Sequence, residues 1–253
     1  MKKILIILLI VFLCLIGVGV IIMISLPQKI PVITYHNFLK NGEEKTMIMS
    51  IYEDEFEEHM KYLANHNYHS LTLKEVECFM DGTCDIPKKS VLITIDDGWR
   101  STISIAAPIL EKYKLNAVLF YIGKNINGEN SHFLNKNDIG ILRKKYPNIE
   151  IASHTYDLHN EDAYTLSKKE LEVDMEKMKR VISNEYFAYP YGKHSNSYHK
   201  ALEEEGYKLA FTFGPDEEHR KMSKSDDKLQ IPRLNMSDGM PLWKFILRLK
   251  WYK

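Results

Sequence analysis

The chain has 253 residues, of which 45% are hydrophobic and 27% are charged, and this composition suits one globular domain with a full core. It contains 34 basic and 34 acidic residues, so its formal net charge is zero. A neutral chain offers no broad basic surface, and we therefore expect no nucleic-acid partner.

The chain begins with a long uncharged apolar run. Residues 4–26 contain no charged side chain, and Lys2 and Lys3 precede them. Such a run can cross a hydrocarbon layer about 30 Å thick, whereas a cleaved signal peptide has an apolar region of only about 7–15 residues. The pattern predicts a transmembrane anchor over residues 1–27. Because the lysines favour a cytoplasmic start, we expect a single-pass protein of the cell membrane with its domain on the extracellular face.

Strand and helix patterns alternate along residues 28–240, which we predict to form one domain. Short β-branched and aliphatic runs predict strands over residues 31–38, 91–95, 116–122, 149–153, 186–190 and 209–213. Apolar residues at helical spacing predict the intervening helices, including residues 101–113, 135–146 and 196–205. Alternating strands and helices imply an α/β fold with a parallel sheet, and about seven such units are enough to curl into a barrel.

Two predicted helices begin with the pattern Ser-x-x-Glu. Ser50 is followed by Glu53, and Ser167 is followed by Glu170. In this pattern each side chain accepts a hydrogen bond from a backbone N–H of the first turn. We therefore expect a capping box at both helix starts.

Two further features leave alternatives open. Cys78 and Cys84 lie in CFMDGTC, whose spacing fits a small disulfide-closed loop in an oxidising compartment and fits two unpaired thiols equally well. The C-terminal segment, residues 241–253, is predicted to be a basic amphipathic helix with tryptophans. Such a helix can lie on an anionic membrane surface, or it can pack against the domain.

The stretch VLITIDDGWR, residues 91–100, ends a predicted buried strand on two adjacent carboxylates. Parallel sheets keep their chemistry at the carboxyl ends of strands, so Asp96 and Asp97 are candidate site residues. Neighbouring strand residues point to opposite faces, and both can serve one site only if the chain turns there, which Gly98 permits. A helix N-cap is the alternative use of such aspartates.

The stretch ASHTYDLHN, residues 152–160, places His154 and His159 after another predicted strand. Two histidines and a carboxylate are typical of a metal site that keeps open positions for water and substrate. The spacing of five does not fit one face of a helix, so the two histidines must converge through a loop. This donor set accepts zinc, cobalt, nickel or iron.

Two other stretches carry weaker signals. FAYPYGKH, residues 187–194, ends in a Pro-Tyr-Gly turn whose backbone N–H groups could hold an oxyanion, although an ordinary turn explains it too. PVITYHNF, residues 31–38, delivers His36 near the end of the first predicted strand of the domain. Taken alone, His36 fits a hydrogen-bonded structural histidine.

Together, these stretches resemble the ordered motifs of the polysaccharide deacetylases, the NodB-homology group also called carbohydrate esterase family four. ITIDDG, SHTYDLH and AYPYG correspond to the first three motifs, and the resemblance covers about residues 31–236. The histidine spacing in SHTYDLH is most similar to the branch that deacetylates poly-β-1,6-N-acetyl-D-glucosamine, the biofilm exopolysaccharide. In that branch the (β/α)7-type barrel is distorted and circularly permuted, so that a leading strand ending in Tyr-His supplies a histidine that other members carry near the C-terminus. VITYH matches that strand.

The resemblance implies a metal site surrounded by several catalytic residues. A divalent metal ion, with zinc expected and cobalt, nickel or iron as alternatives, would be bound by three residues: Asp97, His154 and His159. The groups that act on the substrate would be Asp96 as general base, His36 as general acid, the backbone N–H of Tyr191 as oxyanion donor, and Arg233 in IPRLN as the residue that orients Asp96.

The implied function is metal-dependent N-deacetylation of an N-acetylglucosamine polymer, poly-β-1,6-N-acetyl-D-glucosamine of biofilm matrix, with release of acetate. The expected partners are this substrate, the membrane through the N-terminal helix, and the exopolysaccharide synthesis machinery. One alternative is deacetylation of peptidoglycan or of a chitin-type β-1,4 chain, and another is a non-catalytic polysaccharide-binding protein. A glycoside hydrolase using Asp96 and Asp97 is disfavoured, because paired hydrolase carboxyls flank one bond about 5–9.5 Å apart and need no histidine pair.

The chain also departs from the family pattern. Many members carry an arginine in the third motif, where Ala188 stands here. The tryptophan-bearing fourth motif is not evident in the sequence.

Overall fold

The computed structural model of the protein describes residues 28–214, 220–236 and 239–251, together with Phe12. Strands and helices alternate through most of this part of the chain, as predicted. The strands are β1 (Lys29–Ile30), β2 (Val32–Tyr35), β3 (Asn37–Leu39), β4 (Ser50–Tyr52), β5 (His69–Ser70), β6 (Ser90–Ile95), β7 (Ala117–Tyr121), β8 (Ile149–Ser153), β9 (Tyr186–Ala188), β10 (Leu209–Phe211), β11 (Met222–Ser223) and β12 (Leu234–Asn235). The α-helices are α1 (Glu53–Asn65), α2 (Leu73–Asp81), α3 (Ala107–Lys112), α4 (Lys136–Lys145), α5 (Lys168–Val181), α6 (Asn196–Glu204) and α7 (Leu242–Trp251).

A curled parallel sheet forms the centre of this α/β fold. Its strand order is β10-β9-β8-β7-β6-β2-β12, with β5 added beside β6, and every pair along this path is parallel. Ile231 forms a parallel bridge with Phe211 of β10, and a few residues later β12 pairs with β2. The segment that carries Ile231 and β12 therefore contacts strands at both ends of the order, and the sheet curls.

The two faces of the central strands enter different parts of the core. All residues of β6 are buried, because side chains pack on both of its faces. Ile93 and Ile95 pack in one apolar cluster with Phe56 of α1. Leu92 belongs to a second cluster. Since strand side chains alternate, Asp96 continues the face of Leu92 beyond the end of β6.

Only one of the two predicted capping boxes forms. At the start of α5 the Ser167 hydroxyl accepts from the backbone N–H of Glu170, and the Glu170 carboxylate accepts from the Ser167 N–H, as predicted. The box predicted at Ser50 is wrong. Ser50 belongs to β4 and pairs in parallel with Asn37, whose side-chain amide donates to the Ser50 hydroxyl. Helix α1 therefore begins later, at Glu53.

The helix predicted over residues 101–113 is divided. A π-helical turn, Thr102–Ala106, precedes α3, and Pro108 lies in the first turn of α3. Proline is tolerated there because the first N–H groups of a helix have no partner within it. The structure thus uses Pro108 as a helix start.

The predicted membrane location needs correction. A spanning helix requires about 20 predominantly apolar residues, and the longest helix in the described part of the chain, α5, has 14. Within the described residues no helix is both long and apolar enough to cross a bilayer. The prediction of a single-pass cell-membrane protein with an extracellular domain is therefore wrong on this finding. The run on which it was based, residues 4–26, lies outside the described residues except for Phe12.

Contacts among the described residues bear on both features that the sequence left open. Cys78 and Cys84 form a disulfide that closes the loop after α2. Helix α7 packs against the domain, with Phe245 and Leu249 buried and the Phe245 ring stacked on His59 of α1 at 4.1 Å. Its opposite side is exposed, including Trp243.

Candidate metal and catalytic site

The predicted site residues converge on one cleft at the carboxyl ends of the strands. His36 follows β2, the two aspartates follow β6, and His154 follows β8. The cleft has a volume of about 690 Å³. All of the predicted site residues line it: His36, Asp96, Asp97, His154, His159, Tyr191 and Arg233.

A sharp turn brings both aspartates into this cleft. Asp97 has a φ of 70° and Gly98 a φ of 85°, so both residues are in the left-handed region. The Gly98 N–H donates to the Asp96 carbonyl at 2.9 Å, which closes the turn. A Cβ atom on Gly98 would lie 2.4 Å from Cδ2 of Tyr121, so a side chain does not fit there. The predicted turn is present, and it begins at Asp97 itself.

Asp97 and the two histidines form a compact donor cluster. Oδ1 of Asp97 lies 3.5 Å from Nε2 of His154 and 3.1 Å from Nε2 of His159. One ligand atom from each of the three residues lies within 4.8 Å of the other two. Donors about 2.0–2.1 Å from one tetrahedral ion are about 3.4 Å apart, which is close to the observed spacing. The donor set and its spacing therefore fit a single divalent metal ion.

Hydrogen bonds orient both histidines toward this centre. Nδ1 of His154 lies 2.7 Å from the Ala188 carbonyl oxygen, and Nδ1 of His159 lies 3.2 Å from Oδ1 of Asn160. Both partners are oxygen acceptors, so each Nδ1 donates to its partner, and Nε2 is the ring nitrogen that faces Asp97. Metal-binding histidines are commonly oriented in this way.

Trp99 fixes the other oxygen of Asp97. Its indole Nε1 donates to Oδ2 of Asp97 at 3.0 Å, while its ring packs on Phe133 with centroids 4.4 Å apart. Oδ1 of Asp97 is therefore the oxygen directed at the histidines.

Asp96 is held by a buried arginine. Arg233 donates from Nη1 and Nη2 to the two carboxylate oxygens of Asp96, each at 2.7 Å. Its Nε donates to the Thr212 carbonyl at 3.0 Å, and Nη1 also lies 3.2 Å from the Thr34 hydroxyl. The Thr212 carbonyl and the Thr34 hydroxyl thereby fix the guanidinium, and the guanidinium in turn fixes the Asp96 carboxylate.

The charges of the site keep both carboxyls ionised. Burial alone would raise the pKa of Asp96, but the positive charge and hydrogen bonds of Arg233 are the main causes that outweigh burial and lower that pKa. Burial likewise opposes ionisation of Asp97, and hydrogen bonds from His154 and His159 hold its pKa well below the usual range. At neutral pH Asp96 is thus an anion able to accept a proton.

His36 lies beside Asp96 in the cleft. Its Nε2 is 3.8 Å from Oδ2 of Asp96, and its ring packs edge-on against Phe213. Burial lowers the pKa of His36, and the Asp96 charge partly offsets this effect. No described group bonds its buried Nδ1.

Tyr191 occupies a strained turn at the edge of the cleft. It has a φ of 54°, and the next residue, Gly192, has a φ of 69°. A Cβ atom on Gly192 would lie 1.6 Å from the Phe213 carbonyl oxygen, so only glycine fits. The Tyr191 ring packs on His159 with centroids 4.9 Å apart, and its hydroxyl donates to Oδ1 of Asn160 at 3.0 Å. The third motif is thereby joined to the segment that carries His159.

Several residues around the site were not predicted. Trp99 directly follows the Asp-Asp-Gly turn and Asn160 directly follows His159, so adjacency to a motif was the available signal. Met47 and Met49 line the cleft from the irregular chain before β4, and no sequence pattern marks them. Ala188 of the third motif contributes its carbonyl oxygen to His154.

The sequence profile described as Polysaccharide deacetylase matches residues 84–210, half of the chain. The chain belongs to the polysaccharide deacetylase family. The predicted family is thereby confirmed. The matched part contains the Asp-Asp-Gly turn and both histidines of the donor cluster. As a polysaccharide deacetylase, the chain is assigned to the hydrolases that act on amide bonds.

This polysaccharide deacetylase is similar to proteins of Bacillus subtilis and Staphylococcus aureus. It is 29% identical over 220 residues to YxkH of Bacillus subtilis (strain 168). The aligned region covers 85% of this chain and 74% of YxkH. It is also 29% identical over 222 residues to the poly-beta-1,6-N-acetyl-D-glucosamine N-deacetylase of Staphylococcus aureus (strain MSSA476), covering 80% of this chain and 75% of that one.

Solved structures share the fold of this polysaccharide deacetylase. The Streptococcus pyogenes deacetylase PplD in complex with acetate superposes with a TM-score of 0.78 at 20% identity, covering 89% of this chain and 100% of that chain. IcaB from Ammonifex degensii superposes with a TM-score of 0.73 at 23% identity, covering 89% and 97%. The likeness supports the curled α/β sheet described above.

Proposed function

We propose that this polysaccharide deacetylase is a metal-dependent N-deacetylase that acts on poly-β-1,6-N-acetyl-D-glucosamine and releases acetate. One observation carries the proposal: the donors of Asp97, His154 and His159 lie within 4.8 Å of one another. The Asp96–Arg233 pair lines the same cleft. Metal donors next to a buried, ionised carboxylate are the groups that amide hydrolysis requires.

The lining of the cleft supports an uncharged substrate. Lys124 and Arg233 are the only lysine or arginine among the described residues of the cleft, and each is paired with a carboxylate. Lys124 lies 2.6 Å from Asp157, and Arg233 lies 2.7 Å from Asp96. Much of the remaining wall is apolar or aromatic, formed by Met47, Met49, Trp99, Phe133, Tyr191 and Phe213. A neutral N-acetylated chain needs no cationic partner, whereas peptidoglycan carries carboxylates.

The relatives support the linkage. The Staphylococcus aureus relative is named for poly-beta-1,6-N-acetyl-D-glucosamine, and 80% of this chain aligns with it. The chain order adds a second argument. His36 directly follows β2, and β2 precedes β6 in sequence and pairs with it in the sheet. This order is the basis for proposing a circularly permuted (β/α)7-type barrel over residues 28–240, with residues 241–253 as a separate terminal helix.

Each side chain has a defined task in the proposed reaction. A bound divalent ion, zinc in this proposal, would lower the pKa of its bound water toward about 7 and polarise the acetamide carbonyl. Asp96 accepts the proton of the attacking water, and Arg233 keeps its carboxylate oriented and ionised before the attack. The backbone N–H of Tyr191 donates to the carbonyl oxygen as negative charge develops on it. No described acceptor occupies that N–H.

The last step is cleavage of the carbon–nitrogen bond. Protonated His36 donates its proton to the departing sugar nitrogen, and the bond electrons go to that nitrogen as acetate is released. Nε2 of His36 is 3.8 Å from Oδ2 of Asp96, and the negative charge of Asp96 offsets part of the lowering of the His36 pKa that burial causes. A partnership with the exopolysaccharide synthesis machinery stays a prediction.

Acetate release from defined oligosaccharides tests the proposal. The purified chain, loaded with zinc, is incubated with β-1,6-linked and with β-1,4-linked N-acetylglucosamine pentamers, with and without a chelator. We expect acetate from the β-1,6 pentamer, faster than from the β-1,4 pentamer, and loss of release with the chelator. Faster release from the β-1,4 pentamer would contradict the proposed β-1,6 linkage and favour a β-1,4-linked substrate. Release that persists after complete metal removal would exclude the metal role, and oligomer binding without release would indicate a binding protein.

A further inference from the structure

A buried carboxylate outside the predicted site contacts the chain between the two metal-site histidines. Asp174 lies on α5 and is 6% exposed. Its Oδ2 accepts from the backbone N–H of Tyr156 at 2.7 Å, and its Oδ1 accepts from that of Asp157 at 2.8 Å. Both N–H groups belong to the segment from His154 to His159, which we call the histidine loop.

The opposite side of the histidine loop is held by another segment. The carbonyl of Thr155 accepts from the N–H of Gly123 at 3.0 Å, and that of Tyr156 accepts from Lys124 at 2.8 Å. These bonds engage carbonyl groups only. Asp174 therefore supplies the acceptors for the backbone N–H groups of Tyr156 and Asp157, and its two oxygens fix the orientation of these two successive peptide groups.

The histidine loop needs such support because its backbone is strained. Thr155 has a φ of 67°, in the left-handed region that β-branched residues rarely adopt. A residue persists in that conformation only when its surroundings hold it there. The two bonds from Asp174 fall on the residues that immediately follow Thr155.

The two histidines differ in how strongly the rest of the fold holds them. The N–H of His154 donates to the Tyr121 carbonyl at 3.0 Å, and its ring is bonded to the Ala188 carbonyl. Both contacts tie His154 to neighbouring strands. The ring of His159 is bonded instead to its own neighbour, Asn160. The position of His159 therefore depends more on the course of the histidine loop.

We propose that Asp174 is a positioning residue of the metal site, which holds the histidine loop so that His159 reaches the ion together with Asp97 and His154. The inference rests on the proposed function in one respect, that a divalent ion occupies this donor cluster. Asp174 does not line the cleft, and it acts through the backbone of the loop.

Asp174→Asn is the direct test. An amide has one acceptor where the carboxylate has two, so one of the two loop N–H groups faces a donor and loses its bond. We expect the affinity for Zn²⁺ to fall about 10- to 100-fold, the range typical of residues that support metal ligands. Affinity is measured by competition with a chromophoric chelator. The visible absorption of the Co²⁺-loaded protein is recorded as well, and we expect it to change because one histidine is displaced.

Glu150→Gln is the matched control. Glu150 is a partly buried carboxylate that accepts a backbone N–H, that of Leu73, at 2.8 Å, and it does not line the cleft. We expect its replacement to leave Zn²⁺ affinity and the Co²⁺ spectrum unchanged. Should Asp174→Asn not fold, Asp174→Ser is measured in its place, since its smaller side chain leaves room for water at both N–H groups.

The outcomes separate this inference from the proposed function. Affinity and spectrum are measured without substrate, so a wild-type protein that binds the ion but releases no acetate contradicts only the proposed function. An Asp174→Asn protein with wild-type affinity and spectrum overturns the positioning role. Equal losses in Asp174→Asn and Glu150→Gln overturn it too, because they would reflect general destabilisation. A wild-type protein that binds no divalent ion contradicts both.

Discussion

Arg233 and Asp96 form a two-point ion pair, with Nη1 and Nη2 of the arginine each 2.7 Å from one carboxylate oxygen. The two residues are 137 positions apart in sequence, and both are almost completely buried. Arg233 reaches Asp96 from the segment before β12. The pair fixes both the direction and the charge of the proposed general base.

Replacing Arg233 with lysine should impair the reaction without preventing folding. A lysine keeps the positive charge but cannot bond both oxygens of Asp96, so the carboxylate turns away from its position. We expect kcat for acetate release to fall about 100-fold, the scale of a displacement of about 1 Å at a reacting group.

Arg100→Lys is the control for this prediction. Arg100 forms a partly exposed ion pair with Asp138 at 2.9 Å, and such surface pairs contribute little. Its replacement should leave kcat unchanged. If kcat for Arg233→Lys stays within about twofold of the wild-type value, the orienting role is ruled out, because the predicted loss is about 100-fold.

The neighbouring aspartates should separate chemistry from metal binding. Asp97→Asn removes the charged oxygen that contacts both histidines, so Zn²⁺ affinity and acetate release should be lost together. Asp96→Asn removes the base but leaves the donor cluster intact. We expect it to bind Zn²⁺ normally while kcat falls about 10²- to 10⁴-fold, the usual contribution of a general base.

Metal analysis after gel filtration and acetate release from the same samples check this pair of variants. If Asp96→Asn loses the ion and Asp97→Asn retains it, the two roles have been assigned the wrong way round. If both variants keep full activity, neither aspartate belongs to the reaction.

Trp99 should tune the metal site through a single hydrogen bond. Trp99→Phe removes the indole N–H that bonds Oδ2 of Asp97 but keeps an aromatic ring against Phe133. We expect Zn²⁺ affinity to fall about tenfold, because the freed carboxylate is less well oriented toward the histidines. Phe133→Leu, which disturbs the packing but not the hydrogen bond, should change affinity less. The idea fails if Phe133→Leu has the larger effect in chelator competition.

The parts of the site that were predicted are those marked by strand ends. A run of β-branched residues followed by polar groups marks where a strand stops, and parallel strands stop at one edge of the sheet. Asp96, Asp97 and His154 could be placed together for this reason. Their mutual distances depend on the turn at Asp97, whose left-handed φ of 70° no pattern shows, since non-glycine residues rarely adopt it.

The missed parts depend on contacts between distant segments. Ser50 has the spacing of a capping box, but pairing with β3 draws it into a strand, so tertiary contacts override the local signal. In the sequence, nothing distinguishes Asp174 from the other charged residues of an amphipathic helix. Only the packing of α5 beside the histidine loop reveals that its carboxylate bonds two N–H groups of that loop.

A buried histidine far from the chemistry should make the fold sensitive to acid. The Met240 carbonyl can only accept, so Nε2 of His59 donates to it at 2.8 Å, and Nδ1 accepts from the Tyr35 hydroxyl at 3.0 Å. Burial lowers the pKa of His59 to about 4, although the bond to Met240 opposes the shift. An unfolded chain has a histidine pKa near 6.5, so between pH 6.5 and 4 the unfolded state binds more protons.

The free energy of unfolding should therefore fall as the pH is lowered through this window, by up to about 3 kcal/mol from His59, and this contribution should level off below pH 4. Urea unfolding of wild type and His59→Gln at a series of pH values measures it. The glutamine does not titrate, so its profile should be flatter between pH 6.5 and 4, while carboxylates that titrate in both proteins cancel in the difference. His132→Gln, at an exposed position, should reproduce the wild-type slope. Parallel profiles for wild type and His59→Gln would mean that His59 takes up its proton as readily in the folded protein as in the unfolded chain.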